Sequence, residues 1–461
     1  MKKILLFTAA LVASIGAYAD VVTDGCTYET TNGIQCINSW IIDRNHNSTA
    51  FAETVALSYT QCRTSAVKDG VAYVSSWAAN DPEATYLDSD GNTAYYNAAS
   101  IYMYDVEDGS YLGTLKLTLN GERHVGTGVG NQIGFDSFGH LYASDITFTT
   151  EGGEEQPIYI VDLETGALTL VASLSKGSSW PRIDYVDVIG DLTGTEAACT
   201  IMAAASSDTR VYGWCLDKGG DEWYGYFTGS VSMEFTEFYP SSAGTWSTAP
   251  VVKIVEGEGE SQYYGDLFYV DGANSAPTLY NSTGTIVESF ASAEDYVQSS
   301  LGANGIIEFS VDDRDFIAYP IEQYTGDYGG CNVNVCELGE DMSFTGMAFY
   351  WRIPSDGFGT TSDGGNRIHG LSREYISNSD GSEYVNLFSF KCYNGMALYK
   401  IGTTIEEGGV QGTLADSDAT VVAEKYYNLS GVEVEPTDAK TIYVVTKTYS
   451  DGTVKTVKEV R

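Results

Sequence analysis

A short pattern of strands and turns recurs along this chain, and it constrains the fold more than any other feature. Its clearest copy runs from Gly134 to Leu174. The turn Asp136-Ser137-Phe138-Gly139 leads into Leu141-Tyr142-Ala143, and an acidic loop then separates this strand from Ile158-Tyr159-Ile160-Val161-Asp162-Leu163. Glu164-Thr165-Gly166 turns the chain into a last segment, Leu168 to Leu174. There Leu168, Leu170 and Ala172 share one face and Thr169, Val171 and Ser173 the other, the two-residue period of a strand. Copies headed by Ile101-Tyr102, Ile158-Tyr159 and Val211-Tyr212 follow at intervals of 57 and 53 residues. Weaker ones lie at Leu279-Tyr280, Val333-Asn334 and Leu398-Tyr399. One such unit has too little surface to bury alone and must stack on its neighbours. The expected fold is therefore all-β, a β-propeller over residues 67–402 with six blades, seven being the alternative count.

The ends of the chain read differently. Met1 to Ala19 has two lysines, an apolar run from Ile4 to Ile15, and Ala17-Tyr18-Ala19 before Asp20. This is the layout of a secretory signal peptide cleaved between Ala19 and Asp20. The run is too short for a spanning helix, which needs about 20 residues, so no transmembrane segment is expected in the mature protein. Residues 20–66 form a lead-in segment, with a hairpin turn at Asn32-Gly33 and a run from Phe51 to Tyr59 that reads as strand or short helix; its expected role is to lead into the first blade or complete the last. One short helix is expected from Ser292 to Leu301. Residues 403–424 read as a linker and residues 425–461 as a separate small β module, with six basic and five acidic residues.

Charge narrows the partners. The chain carries 63 Asp+Glu against 24 Lys+Arg, a formal charge of -39, which repels phosphate backbones and anionic headgroups. Nucleic acid is excluded as an expected partner. The same acidity raises the question of calcium, and Asp88-Ser89-Asp90-Gly91-Asn92 imitates the start of a calcium loop. Thr93 and Ala99 stand where such a loop needs glycine and glutamate, so an acidic turn is the better reading and no cofactor is expected. The histidines 46, 124, 140 and 369 are widely spaced without a zinc-binding partner pattern, and no metal site is assigned.

Eight cysteines in an exported chain favour disulfides. A hairpin centred on Ser207 sets Cys199 opposite Cys215, making them the expected bridge. Cys331 and Cys336, five steps apart on one strand, lie roughly 16 Å apart on opposite faces, too far for a bridge unless a bulge or turn intervenes. Trp77, Trp180, Trp223, Trp246 and Trp351 sit at or near expected loops, where a flat ring beside carboxylates suits the face of a sugar. No catalytic residue can be picked from 63 acids, and no nucleophile-elbow or P-loop motif is present.

The tail contains Tyr427-Asn428-Leu429 with Gly431 and Val434, then Ile442-Tyr443 with Val445, then Asp451-Gly452 before Lys455 and Lys458. It resembles the C-terminal sorting module of secreted Bacteroidota proteins handled by the type IX (Por) secretion system, although Lys440-Thr441 stands where glycine often precedes Ile-Tyr. That resemblance implies export machinery as a partner and a secreted or cell-surface location, or the periplasm if the tail is not a sorting signal. The body resembles uncharacterised secreted propellers of the same bacteria. The function expected is a non-catalytic module that binds a glycan or protein, with an extracellular glycan hydrolase or lyase, or a structural surface protein, as alternatives.

Overall fold

The computed structural model describes residues 22–58, 62–77, 81–147, 155–174, 182–206, 210–216, 224–225, 231–234, 246, 248–257, 265–272, 275–282, 284–289, 304–322, 330–360, 368–405, 421–427, 442–449 and 454–460. The signal-peptide region, the helix expected from Ser292 and most of the linker lie outside them. The chain divides into two compact units, Ile15–Thr403 and a C-terminal one from Thr404 onward.

The first unit is a six-bladed β-propeller. Blade 1 consists of Cys62–Lys68, Val71–Ser76, Ser100–Asp105 and Tyr111–Lys116, paired in that order. Blade 2 is Gln132–Phe135, Leu141–Ser144, Gln156–Val161 and Ala167–Leu174. Blade 3 begins with Ile183–Gly190, Cys199–Ala205 and Arg210–Leu216, and two short segments, Tyr224–Gly225 and Val231–Glu234, share the outer edge. Blade 4 is Val251–Val255, Leu267–Gly272, Ser275–Asn281 and Ile286–Ser289; blade 5 is Ile307–Val311, Arg314–Glu322, Cys331–Glu337 and Ala348–Ile353. Blade 6 takes three strands from the C-terminal side, Gly370–Ser377, Glu383–Lys391 and Gly395–Gly402, and its outermost, Gln35–Asp43, from the N-terminal side. The ring is thus closed by hydrogen bonds between its two ends, which leaves no open seam between first and last blades. Between that closing strand and blade 1, the run from Phe51 is helical, with an α-helix at Ser48–Glu53 and a 3₁₀ turn at Val55–Ser58.

The recurring tyrosine has one position. Tyr102, Tyr159 and Tyr212 lie on the third strands of blades 1, 2 and 3, all buried, each packed into the seam with the preceding blade. Tyr280 and Tyr399 do the same in blades 4 and 6. In blade 5 the corresponding residue is Asn334, which donates to Tyr319 Oη at 3.2 Å. Large rings supply much of the apolar area that each seam buries.

A second repeated device ties the inner strands together. The first strand of one blade presents a side-chain acceptor, and a backbone N–H on the first strand of the next blade donates to it: Ile133 to Thr64 Oγ1 at 3.0 Å, Val186 to Gln132 Oε1 at 2.7 Å, Ile254 to Asp187 Oδ2 at 2.7 Å. Asp69 donates to Glu374 in the same manner across the closure from blade 6 to blade 1. These bonds satisfy polar groups that would otherwise be orphaned at the crowded axis.

One expected pattern is corrected. Leu168, Leu170 and Ala172 do not keep one phase, because the register between the third and fourth strands of blade 2 shifts between Ile158 and Tyr159. Leu168 packs toward blade 1, Ala172 and Leu174 toward blade 3, and Leu170 is left 52% exposed. A bulge adds one residue and so reverses the faces beyond it.

The C-terminal unit contains an antiparallel sheet in the order Val421–Tyr427, Ile442–Tyr449, Val454–Val460. Its first strand begins at Val421, inside the stretch expected to be linker.

Candidate ligand-binding face

Consecutive blade strands are antiparallel, so the start of every first strand, the connection from second to third strand, and the link to the next blade all emerge on one face. On that face three charged side chains converge. The carboxylate of Asp184, fully buried at the start of blade 3, accepts from Arg63 Nη1 of blade 1 at 3.0 Å and, at the same oxygen Oδ1, from Arg182. Its other oxygen accepts from Ser206 Oγ at 2.6 Å, and that hydroxyl in turn accepts from Ala249 N of blade 4 at 2.9 Å. Burial pushes the Arg63 guanidinium below the usual arginine range, Asp184 pulls it back, and Arg182 adds like-charge repulsion. Arg63 Nε is buried without a hydrogen-bond partner.

This group is wired to its neighbours. Asn131 of blade 2 donates to the Asp184 carbonyl at 2.9 Å and accepts from Trp77 Nε1 at 3.2 Å. Trp77 opens the connection from second to third strand in blade 1, which carries a two-stranded hairpin, Thr85–Leu87 and Thr93–Tyr95. There Tyr86, Leu87, Tyr95 and Tyr96 are 41%, 72%, 45% and 41% exposed. The Tyr86 and Tyr96 rings lie 4.4 Å apart at 35°. Asp81, at the hairpin's root, pairs with Arg123 at 2.5 Å, while Arg123 also donates to the carbonyls of Ala99 and Leu117. The tyrosines are therefore displayed from a braced base. At the hairpin tip, Asp88 accepts from Asp90 N at 2.9 Å and Asn92 N at 2.8 Å, bonds that hold its carboxyl below the usual range and close the acidic turn.

Behind this face the axis is tight. A cavity lined by Thr64, Ser65, Tyr185, Val251, His369 and Gly370, among others, has room for about one water. A Cβ on Gly370 would lie 2.8 Å from Ser65 Oγ, and one on Gly305 would lie 2.5 Å from the His369 carbonyl oxygen, so the strands meet here only because both residues are glycine. Two carboxyls farther along the axis are shifted. Burial pushes Glu308 up to about 7, with Arg373 opposing, and burial also raises Glu374. They face different surroundings: Arg373, Asp315 and Lys253 act on Glu308, whereas Glu374 accepts from the backbone of Asp69. Both lie on first strands, Glu308 in blade 5 and Glu374 in blade 6.

The opposite face holds a cluster with ligand-like spacing, Asp136, His140 and Asp191. Its lone pairs are already committed. Asp136 Oδ1 accepts from the backbone of Phe138 and His140 at 3.0 and 2.8 Å, and Oδ2 from Leu192 N at 3.0 Å and His140 Nδ1 at 2.8 Å. With the carboxylate as acceptor, Nδ1 carries its proton and is no metal ligand. Asp191 accepts from Thr193 N, Thr195 N and Glu196 N at 2.8, 3.0 and 2.8 Å; against the burial that would raise its carboxyl, these and the Thr193 hydroxyl hold it low. The cluster is a knot between the turns of blades 2 and 3.

The structure redistributes the expected site residues. Trp246 and Trp351 are buried, and Trp351 Nε1 donates to the Glu29 carbonyl at 2.9 Å, so neither offers a face to a ligand. Trp77 is half-buried and serves the link to Asn131. Trp180 and Trp223 lie outside the described residues. Three exposed tyrosines, Tyr86, Tyr95 and Tyr96, instead share the loop from Asp81 to Asn97 whose length marked it in the sequence, while other exposed aromatics such as Tyr111 and Phe138 lie elsewhere. Arg63, Arg182 and Asp184 had no sequence signal, since they are brought together only by the ring. The Cys199–Cys215 bridge is also corrected. Register pairs Cys199 with Leu216 and Thr200 with Cys215, one residue out of step, so the two side chains point to opposite faces of the sheet. All eight cysteines are thiols in this structure.

Six blades and a ring closed by the N-terminal strand define a six-bladed β-propeller. No family model and no curated protein matches the chain. Among solved structures it is similar to a DUF4623 family protein from Bacteroides eggerthii, with 11% identity over 82% of this chain and 76% of that one and a TM-score of 0.50, a likeness of fold. It is also similar, at a TM-score of 0.37, to a Trypanosoma rangeli sialidase, with 10% identity over 74% of this chain and 54% of that one. A third is an α-L-arabinofuranosidase from Fusarium graminearum, again at 0.37, with 10% identity over 75% and 95%. No described helix is long and apolar enough to cross a membrane.

Proposed function

We propose that this protein is an exported, non-catalytic binding propeller that recognises a glycan on the face bearing the Thr85–Tyr95 hairpin. The observation that carries the reading is the exposed, closely tilted pair Tyr86 and Tyr96 on a base fixed by Asp81 and Arg123. Rings presented this way lose little entropy on binding and offer apolar faces to the C–H face of a sugar, while Tyr hydroxyls and nearby carboxylates can bond its hydroxyls. Export rests on the N-terminal leader and on the tail's likeness to a type IX sorting module, which would place the propeller at or beyond the outer membrane.

The test is a glycan array followed by calorimetry with wild type and the double variant Tyr86→Ala/Tyr96→Ala. Binding that weakens at least tenfold in the variant, without release of reducing sugar on long incubation, supports the reading. Unchanged binding by the variant, or turnover of the bound glycan, overturns it.

A further inference from the structure

We propose that His46 is a proton-operated latch where the ring closes: as an imidazolium it clasps the end of the closing strand to the link between blades 5 and 6, and on losing its proton it lets that link go. The inference is independent of the glycan reading.

The closing strand Gln35–Asp43 ends at a carboxylate that is fully buried. Its Oδ1 accepts from Asn45 N at 3.0 Å and His46 N at 2.6 Å, so the chain folds back and sets the imidazole beside the other oxygen. His46 Nδ1 lies 2.8 Å from Asp43 Oδ2, and Nε2 lies 3.3 Å from Oδ2 of Asp356 in the link that follows blade 5. An ionised carboxylate only accepts, so both contacts are made only when each nitrogen carries a proton, as in the imidazolium. The neutral ring keeps one. Its proton stays with Asp43, whose burial makes an unpaired anion costly, and the bare nitrogen then opposes Asp356, which is 58% exposed and can turn to water. Among the described residues no other histidine meets a carboxylate at each nitrogen: His124 reaches Asp145 through Nε2, His140 reaches Asp136 and Asp191 through Nδ1, and His369 reaches Ser389.

The charged groups that act on His46 are Asp43 on its own segment, Asp356 on the link and Asp24 on the N-terminal segment. Arg44 turns away to the Tyr393 carbonyl and the Phe51 ring, and the helix Ser48–Glu53 that follows carries one charge, Glu53, at its exposed far end. Burial alone would lower the imidazole, but Asp43, then Asp356 and Asp24, outweigh it and raise it above the usual 6.5. With the folded value above the unfolded one, the latch is complete below about pH 6.5 and is lost as pH rises through the folded value. Beyond that point the pairing of Gln35–Asp43 with Gly395–Gly402 and the bond from Asn45 Nδ2 to the Gly357 carbonyl at 2.8 Å remain. The link loosens while the ring stays shut.

The experiment follows the histidine ring signals of the mature chain by NMR across pH, with His46 assigned by its loss in His46→Gln, and reads opening of the link from hydrogen exchange at the Gly357 and Phe358 amides. We expect His46 to titrate above an unperturbed histidine and Asp356→Asn to bring that midpoint down. Opening of the link, corrected for the intrinsic exchange rate, should rise about fivefold or more between about pH 6 and about pH 8.5 in the wild type and stay level in His46→Gln. Asp356→Asn, at an exposed side chain, keeps the test sound if His46→Gln fails to fold, and it should flatten the same rise. A midpoint at or below that of an unperturbed histidine, a midpoint that Asp356→Asn leaves in place, or a pH-dependent opening that survives Asp356→Asn overturns the latch.

Discussion

The indole nitrogen of Trp40 donates to the carbonyl oxygen of Val106 at 2.8 Å, joining the outermost strand of the last blade to a turn of the first. The ring is fully buried against Phe388, and a Cβ on Gly109 would come within 2.8 Å of it. Closure of the propeller depends on this contact as well as on the strand pairing of Gln35–Asp43 with Gly395–Gly402.

Trp40→Ala should therefore cost about 3–5 kcal/mol through the cavity it leaves, and Trp40→Phe about 1–2 kcal/mol through the orphaned Val106 carbonyl. Thermal unfolding of both variants, with limited proteolysis near Gln35–Asp43, checks the order. If Trp40→Phe proves as costly as Trp40→Ala, the hydrogen bond rather than packing carries the closure.

Glu308 should set a pH slope on stability. Its carboxyl is raised from 4.5 to about 7, so across that interval the folded chain holds a proton that the unfolded chain has released. Stability then falls as pH rises through the window and is level above it. Glu308→Gln removes the slope: the variant matches wild type near pH 4.5 and exceeds it at pH 8 by up to about 2–3 kcal/mol. Parallel stability curves for the two proteins across this range would count against burial of the ionised carboxylate as the cause.

Peptide mapping of the exported protein under non-reducing conditions should find no Cys199–Cys215 bridge, because the register places the two on opposite sheet faces. Detecting that bridge would require the pairing of Cys199–Ala205 with Arg210–Leu216 to slip by one residue, which would turn an entire buried strand inside out.

Deleting residues 404–461 should leave the propeller's thermal transition unchanged, since the two units are separately compact. In a native-like host the same deletion should hold the protein in the periplasm. Normal release of the truncated chain would show that the tail is not a sorting signal, and a lower transition would show that it contributes to the propeller's stability.

The sequence alone was enough to reveal the repeat. Tyr102, Tyr159 and Tyr212 could be aligned because each blade buries the same strand face in the same seam, so a local two-residue period and a local turn report directly on the fold. The long Asp81–Asn97 loop was legible for a similar reason, as an interruption of that period. What a local pattern does not encode is phase beyond a bulge, as at Leu170, or register between neighbouring strands, as at Cys199 and Cys215. A ring near a turn in sequence can equally fill a seam, and Trp246 and Trp351 are inside. Only the closed ring decided the rest. Arg63 and Asp184 stand 121 residues apart and meet because blades 1 and 3 both deliver the start of their inner strand to one axis, a convergence that exists in no window of the sequence.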